Sequence, residues 1–143
     1  MRDKPILFST EMVKAILEGR KTQTRRIIKE PYVTWMYEAN NPEWWKSVNS
    51  LCPYQIGQIL WVPSIFMPRE AARLFLKIKN IRVERLQDIT AKDAIAEGID
   101  HKTMNDPRIE FQWLWDSINA KRGYPWGSNP YVWVYEFKVK EEV

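Results

Sequence analysis

The stretch Arg73 to Glu84 constrains the fold more than any other part of the chain. Leu74, Leu76 and Ile78 alternate on one face of an extended segment, and the apolar parity then shifts to Ile81 and Val83. Successive side chains of a strand point to opposite faces, so a change of parity needs an extra residue. A bulge or bend near Lys79-Asn80 is therefore predicted. A strand bent in this way suits a small, strongly curved barrel. Tyr131 to Val139 reads as a second alternating strand, with Val132 and Val134 opposed to Trp133, Tyr135 and Phe137. Shorter strands are predicted over Lys4–Phe8, within residues 22–28, and over Ile59–Val62.

Three helices separate these strands. Thr10 reads as an N-cap, and Met12, Val13, Ile16 and Leu17 give the following helix one apolar face. Thr90 and Asp93 resemble a capping box, and Gly98 closes that helix, which leaves Glu97 at its C-terminal end. Asp106-Pro107 starts a third helix that packs through Phe111, Leu114, Trp115 and Ile118. Regular βαβ alternation is absent. The expected class is α+β: a small mixed β-barrel decorated by about three helices, in a single domain over residues 1–143.

Composition removes several function classes. Cys52 is the only cysteine and His101 the only histidine, so no intrachain disulfide forms and no metal or other cofactor is expected. The N-terminus has no apolar signal region, and no apolar run approaches the ~20 residues of a membrane span. A cytoplasmic protein without a membrane partner is expected. The net charge of +4 favours anionic partners mildly. Of the eight tryptophans, Trp61, Trp113, Trp115 and Trp133 read as core. Trp44, Trp45 and Trp126 lie in polar or turn-rich surroundings and are candidates for base stacking.

The charge is concentrated in Gly19-Arg20-Lys21-Thr22-Gln23-Thr24-Arg25-Arg26, four cations and no carboxylate in eight residues. Gly19 is a plausible cap for the first helix. Lys21 and Thr24 would point to opposite faces of a straight strand, so they meet only if the chain turns between them. Spacing alone reads Lys21 as a helix-end cation and Thr24 as a strand residue.

Taken as a set, these segments resemble the ASCH domain family, which belongs with the PUA-like β-barrels. The resemblance rests on Ile16 through Arg26, Gly57-Gln58-Ile59-Leu60-Trp61-Val62 and Met67-Pro68-Arg69. It continues through Val83 to Ile89, Ala96-Glu97-Gly98-Ile99, Leu114 to Asn119, and Trp133 to Phe137. It covers most of the chain and is nearest to ASCH proteins of bacteria and their prophages. One departure is that Val62 runs almost directly into Met67-Pro68-Arg69, where the family carries a longer insertion. A shorter loop over one side of the cleft is implied.

The resemblance implies an amidohydrolase that removes the acetyl group from N4-acetylcytidine or a related nucleoside. Its Gly-x-Lys-Thr-x-Thr segment maps onto Gly19 to Thr24, and its glutamate onto Glu97. Lys21, Thr24 and Glu97 are then the expected catalytic residues. Thr24 is the nucleophile and Lys21 its base, with a pKa lowered by burial or by Arg20, Arg25 and Arg26. Glu97 either holds Lys21 or protonates the leaving amine, a role that needs a raised pKa. Arg20, Arg25, Arg26 and Arg69 are the expected contacts to substrate or RNA. The alternative implied by the family is an RNA-binding module or ribonuclease acting on single-stranded RNA through the same basic cleft.

Overall fold

The computed structural model describes residues 1–29, 52–63, 74–100 and 105–140. These contain the strands β1 (Lys4–Pro5), β2 (Gln23–Ile27), β3 (Ile59–Trp61), β4 (Phe75–Arg85) and β5 (Tyr131–Lys140). The helices are α1 (Thr10–Leu17), α2 (Ala91–Ala96) and α3 (Pro107–Asn119). The strands form one mixed sheet in the order β1-β3-β4-β5-β2, curled into a half-barrel. Only the β1–β3 pair is parallel.

The long central pair β4–β5 carries the curvature. Its register runs from Phe75 opposite Lys140 to Ile78 opposite Phe137, then resumes with Asn80 opposite Glu136. The extra residue falls where the parity of apolar side chains changes, as the sequence requires. β1 is shorter than expected: β3 offers it a short partner, and pairing is confined to Lys4 and Pro5.

β5 is buried on both faces. Trp133, Tyr135 and Phe137 join Ile16, Leu60, Leu76 and Ile78 in one core. Val132 and Val134 join Leu86, Ile89, Phe111 and Trp115 in a second. The α2–α3 side of the sheet thus has a core of its own.

The helix ends follow local chemistry, with one correction. Thr90 Oγ1 accepts from the Asp93 N–H at 3.0 Å. Asp106 accepts from the Arg108 N–H at 2.9 Å with Pro107 first in the helix. The N-cap of α1 is Ser9, not Thr10: Ser9 is extended and its Oγ reaches the Met12 N–H, while Thr10 is already helical. On α3 the buried stripe is Phe111, Trp115 and Asn119. Ile118, expected on that face, is 41% exposed, because spacing of four residues carries the stripe on to Asn119. Trp113, expected in the core, is 57% exposed, since two residues beyond Phe111 faces away from it. Among the described residues no helix is long and apolar enough to cross a membrane.

Gly98 closes α2 against α1. Its φ is +104°, and a Cβ built there lies 3.3 Å from the Cβ atoms of both Ala15 and Lys21. Gly123, at φ +91°, has open space around it. Gly98→Ala is expected to cost about 1–3 kcal/mol, and more than Gly123→Ala, which bears the backbone strain without the crowding. Urea unfolding of the two variants measures the difference, and equal losses would show that α1 yields freely.

Candidate active site

The basic segment is fixed by its backbone before its side chains act. After α1 the chain turns at Gly19, whose φ is +79°. The N–H groups of Arg20 and Lys21 both reach the Ala15 carbonyl, at 2.9 and 3.1 Å. Lys21 then pairs with Glu97 as a single antiparallel bridge. The Thr22 N–H donates to the Ala96 carbonyl at 2.7 Å, and the Thr22 carbonyl accepts from Phe137 at 3.0 Å. This link is therefore held between the end of α2 and β5.

The bridge brings Lys21 and Glu97 together from distant parts of the chain. Lys21 Nζ donates to the Glu97 carbonyl at 2.7 Å and to Glu97 Oε2 at 3.1 Å. Both residues are 4% exposed. Arg25 Nη1 donates to Glu97 Oε1 at 2.9 Å, so each carboxylate oxygen has its own cation. These contacts are those of a carboxylate that holds Lys21. Burial pushes the Lys21 ammonium below its ordinary value. Glu97 opposes that shift by charge and hydrogen bond, whereas Arg26 and Arg25 add to it, and the net direction is down.

Arg25 is wholly buried. Its guanidinium also meets Glu84 and, at 3.4 Å, Asp93. Arg82 doubles the cluster, donating to Glu84 at 3.2 Å, Asp93 at 3.2 Å and Glu136 at 2.6 Å. Burial alone would raise the Asp93 pKa, but the hydrogen bond from Gln23 and the charges of Arg25 and Arg82 outweigh it and hold the carboxyl low.

Strand parity assigns the remaining groups. Gln23 and Arg25 point with Lys21 toward the carboxylates of α2. Thr24 and Arg26 take the other face, opposite Tyr135 and Trp133. Arg26 Nε donates to Thr24 Oγ1 at 3.1 Å. The Phe8 ring spans the two groups, 5.5 Å from Lys21 Nζ and 5.0 Å from the Arg26 guanidinium carbon. No hydrogen bond joins Lys21 to Thr24, and the turn of this segment lies ahead of Lys21, at Gly19. The two side chains instead share one cavity.

That cavity has a volume of about 760 Å³. Lys21, Thr24, Arg25, Arg26 and Glu97 all line it, together with apolar side chains of α3 and the α1 entry. Glu97 is the only carboxylate among its described lining residues. Arg20 lies off the cavity, bonded to Glu18 at 2.8 Å and to the Gly98 carbonyl at 3.0 Å. Arg69, His101, Trp44 and Trp45 lie outside the described residues, as does the loop after Val62. Trp126, a candidate for base stacking, is half-buried and packs edge-on against Phe111 with ring centroids 6.3 Å apart, at the margin of the second core.

Lys29, Arg122 and Asn119, with Ser9 and Tyr124, line the cavity without having been expected at the site. Nothing distinguishes Lys29 and Arg122 from ordinary surface cations. Asn119 continues the Phe111–Trp115 spacing and ends the Leu114–Asn119 segment of the resemblance, and those were its signals. Among the described residues no group of three or more His, Cys, Asp or Glu side chains is placed to hold a metal ion.

Comparison with solved structures bears on the fold. An ASCH domain from Lactobacillus crispatus superposes with a TM-score of 0.58 at 14% identity, over 96% of this chain and 79% of that one. The fold is that of an ASCH domain, a small α+β PUA-like barrel. A protein from Enterococcus faecalis matches this ASCH-type fold with a TM-score of 0.54 at 15% identity, over 98% of this chain and 77% of that one. A protein from Pyrococcus furiosus does so with a TM-score of 0.54 at 12% identity, over 99% and 100% of the two chains. The sequence matches no protein-family model and no curated protein.

Removing Arg25 is expected to be costly. Arg25→Met leaves Glu84, Asp93 and Glu97 without their shared cation, a loss of about 3–5 kcal/mol. Arg25→Lys, which keeps the charge but not the planar fork, loses less. Denaturant unfolding at neutral pH checks both, and a loss for Arg25→Met below about 1 kcal/mol would mean that the carboxylates relax into solvent.

Proposed function

We propose that the chain is a small amidohydrolase that removes an acyl group from N4-acetylcytidine or a related nucleoside. The observation that carries this reading is the buried Lys21–Glu97 pair, set beside Thr24 on the wall of one cavity. A volume of about 760 Å³ is of the size that takes a small molecule. That scale favours a nucleoside over a strand of RNA laid in a groove.

The proposed steps balance in protons. Thr24 Oγ1 attacks the acyl carbon and passes its proton to neutral Lys21 Nζ. Arg26, already bonded to Thr24 Oγ1, leaves that hydroxyl's proton free to move and stabilises negative charge on the oxygen. The tetrahedral intermediate collapses, the C–N bond breaks, and Lys21 returns the proton to the departing amine. Water then attacks the Thr24 ester while Lys21 takes its proton; the ester C–O bond breaks, Lys21 returns that proton to Thr24 Oγ1, and the carboxylic acid leaves. Glu97 keeps Lys21 in place throughout. Lys21 Nζ turns toward Thr24 when substrate is bound, as catalytic contacts commonly tighten only in the complex.

The expected outcome with N4-acetylcytidine is release of cytidine and acetate. Thr24→Ala abolishes turnover, and Lys21→Ala lowers it by at least about 10²-fold. Wild-type turnover by Thr24→Ala would falsify the nucleophile assignment. The pH dependence has a definite sign. Lys21 is a base only above its lowered pKa, so the rate rises with pH through a limb below 10.5. Glu97→Gln removes the negative charge that raises the Lys21 pKa, so the limb moves to still lower pH while kcat falls. A limb that stays in place or moves up separates Glu97 from Lys21. For stability, unfolded chains hold this proton longer than folded ones, so the Lys21 contribution improves as pH rises from the lowered value toward 10.5.

A further inference from the structure

We propose that Asn119 is the specificity-determining residue of the cavity, pairing its carboxamide with the hydrogen-bonding edge of a cytosine-type base. This rests on reading the cavity as a nucleoside site. Asn119 is 8% exposed and lines the cavity. Its carboxamide makes no hydrogen bond to the described residues. Standing at the cavity wall, the carboxamide is open to a ligand or water that completes its hydrogen bonds.

Its position is fixed by the backbone. The Asn119 carbonyl accepts from the Tyr124 N–H at 3.1 Å, and Trp115 Nε1 donates to the Tyr124 carbonyl at 2.8 Å. The turn after α3 is thereby tied to the helix one turn before Asn119, and the amide is held at the cavity wall before any ligand arrives. Phe111 and Trp115, on the same helix, supply an apolar and aromatic surface beside it. A carboxamide offers a donor and an acceptor side by side. The N3 and exocyclic N–H of N4-acetylcytosine or cytosine offer the complement. An apolar arylamide offers no ring nitrogen or ring carbonyl. A site built around such an amide rejects ligands that leave it unpaired.

The test uses cytidine binding by calorimetry and thermal unfolding of the wild type, Asn119→Leu and Asn119→Asp. Asn119→Leu removes both hydrogen-bonding groups at similar volume, and Asn119→Asp replaces the donor with a charged acceptor. Cytidine is expected to bind both variants roughly 10- to 100-fold more weakly than wild type. The melting temperature of Asn119→Leu stays level or rises, because no protein hydrogen bond is lost; a purely structural asparagine would lower it. In hydrolysis, the preference for N4-acetylcytidine over acetanilide falls by a similar factor in Asn119→Leu, with the acetanilide rate unchanged. Equal cytidine affinity in wild type and variants, or no cytidine binding by the wild type, overturns the proposal. Asn119-dependent cytidine binding without hydrolysis supports it, and rejects the hydrolase reading alone.

Discussion

The buried guanidinium of Arg25 is the interaction on which the arrangement of the molecule depends. A charge with no exposed surface is tolerated only when it is paired and hydrogen-bonded. The partners come from separate elements: Glu84 from β4, Asp93 from within α2, and Glu97 from its end. One cation thus fastens a short helix to the sheet. Arg82 supplies a second cation for the surplus of carboxylates. Once α2 is fixed, Glu97 is fixed, and through Glu97 so is Lys21.

The same strand divides its side chains between two environments. β2 alternates, so Arg25 turns toward the carboxylates while Thr24 and Arg26 take the other face, Arg26 over Phe8, and all three line the cavity. Lys21 stands where the two environments meet: its ammonium is bonded to Glu97 and also lies over Phe8. Burial there works against the charged form, and Glu97 limits how far the shift goes. A basic segment that looks uniform in sequence is therefore divided by strand parity. Arg25 serves structure, Arg26 faces the cavity, and Arg20 ties the segment to the Gly98 carbonyl.

Much of the frame was legible because it depends on local chemistry. The bulge in β4 was written in the shift from Leu76 and Ile78 to Ile81 and Val83. The caps at Thr90 and Asp106 follow from side chains that reach N–H groups two or three residues away. Misreadings arose where a short-range rule met a packing decision. Ser9 and Thr10 are both good caps, and the path of the chain into α1 selected Ser9. Trp113 was assigned to the core and Trp126 to base stacking from its turn-rich surroundings, but helix rotation exposes the first and the second packs edge-on against Phe111. Asn119 was read only as the end of the Leu114–Asn119 segment, because nothing local sets which way a polar residue at a helix end faces.

By itself, the sequence determined the α+β elements, the bent central strand, the ends of α2 and α3, and the concentration of cations between residues 20 and 26. Periodicity and capping act over a few residues, so a linear pattern contains them. The tertiary structure decided which of those cations is buried, that Glu97 meets both Lys21 and Arg25, and that Asn119 lines the cavity. Those facts depend on how α2 and α3 seat against the sheet. Contacts between groups seventy residues apart leave no local trace, because their energy exists only after the sheet has curled and the helices have closed on it.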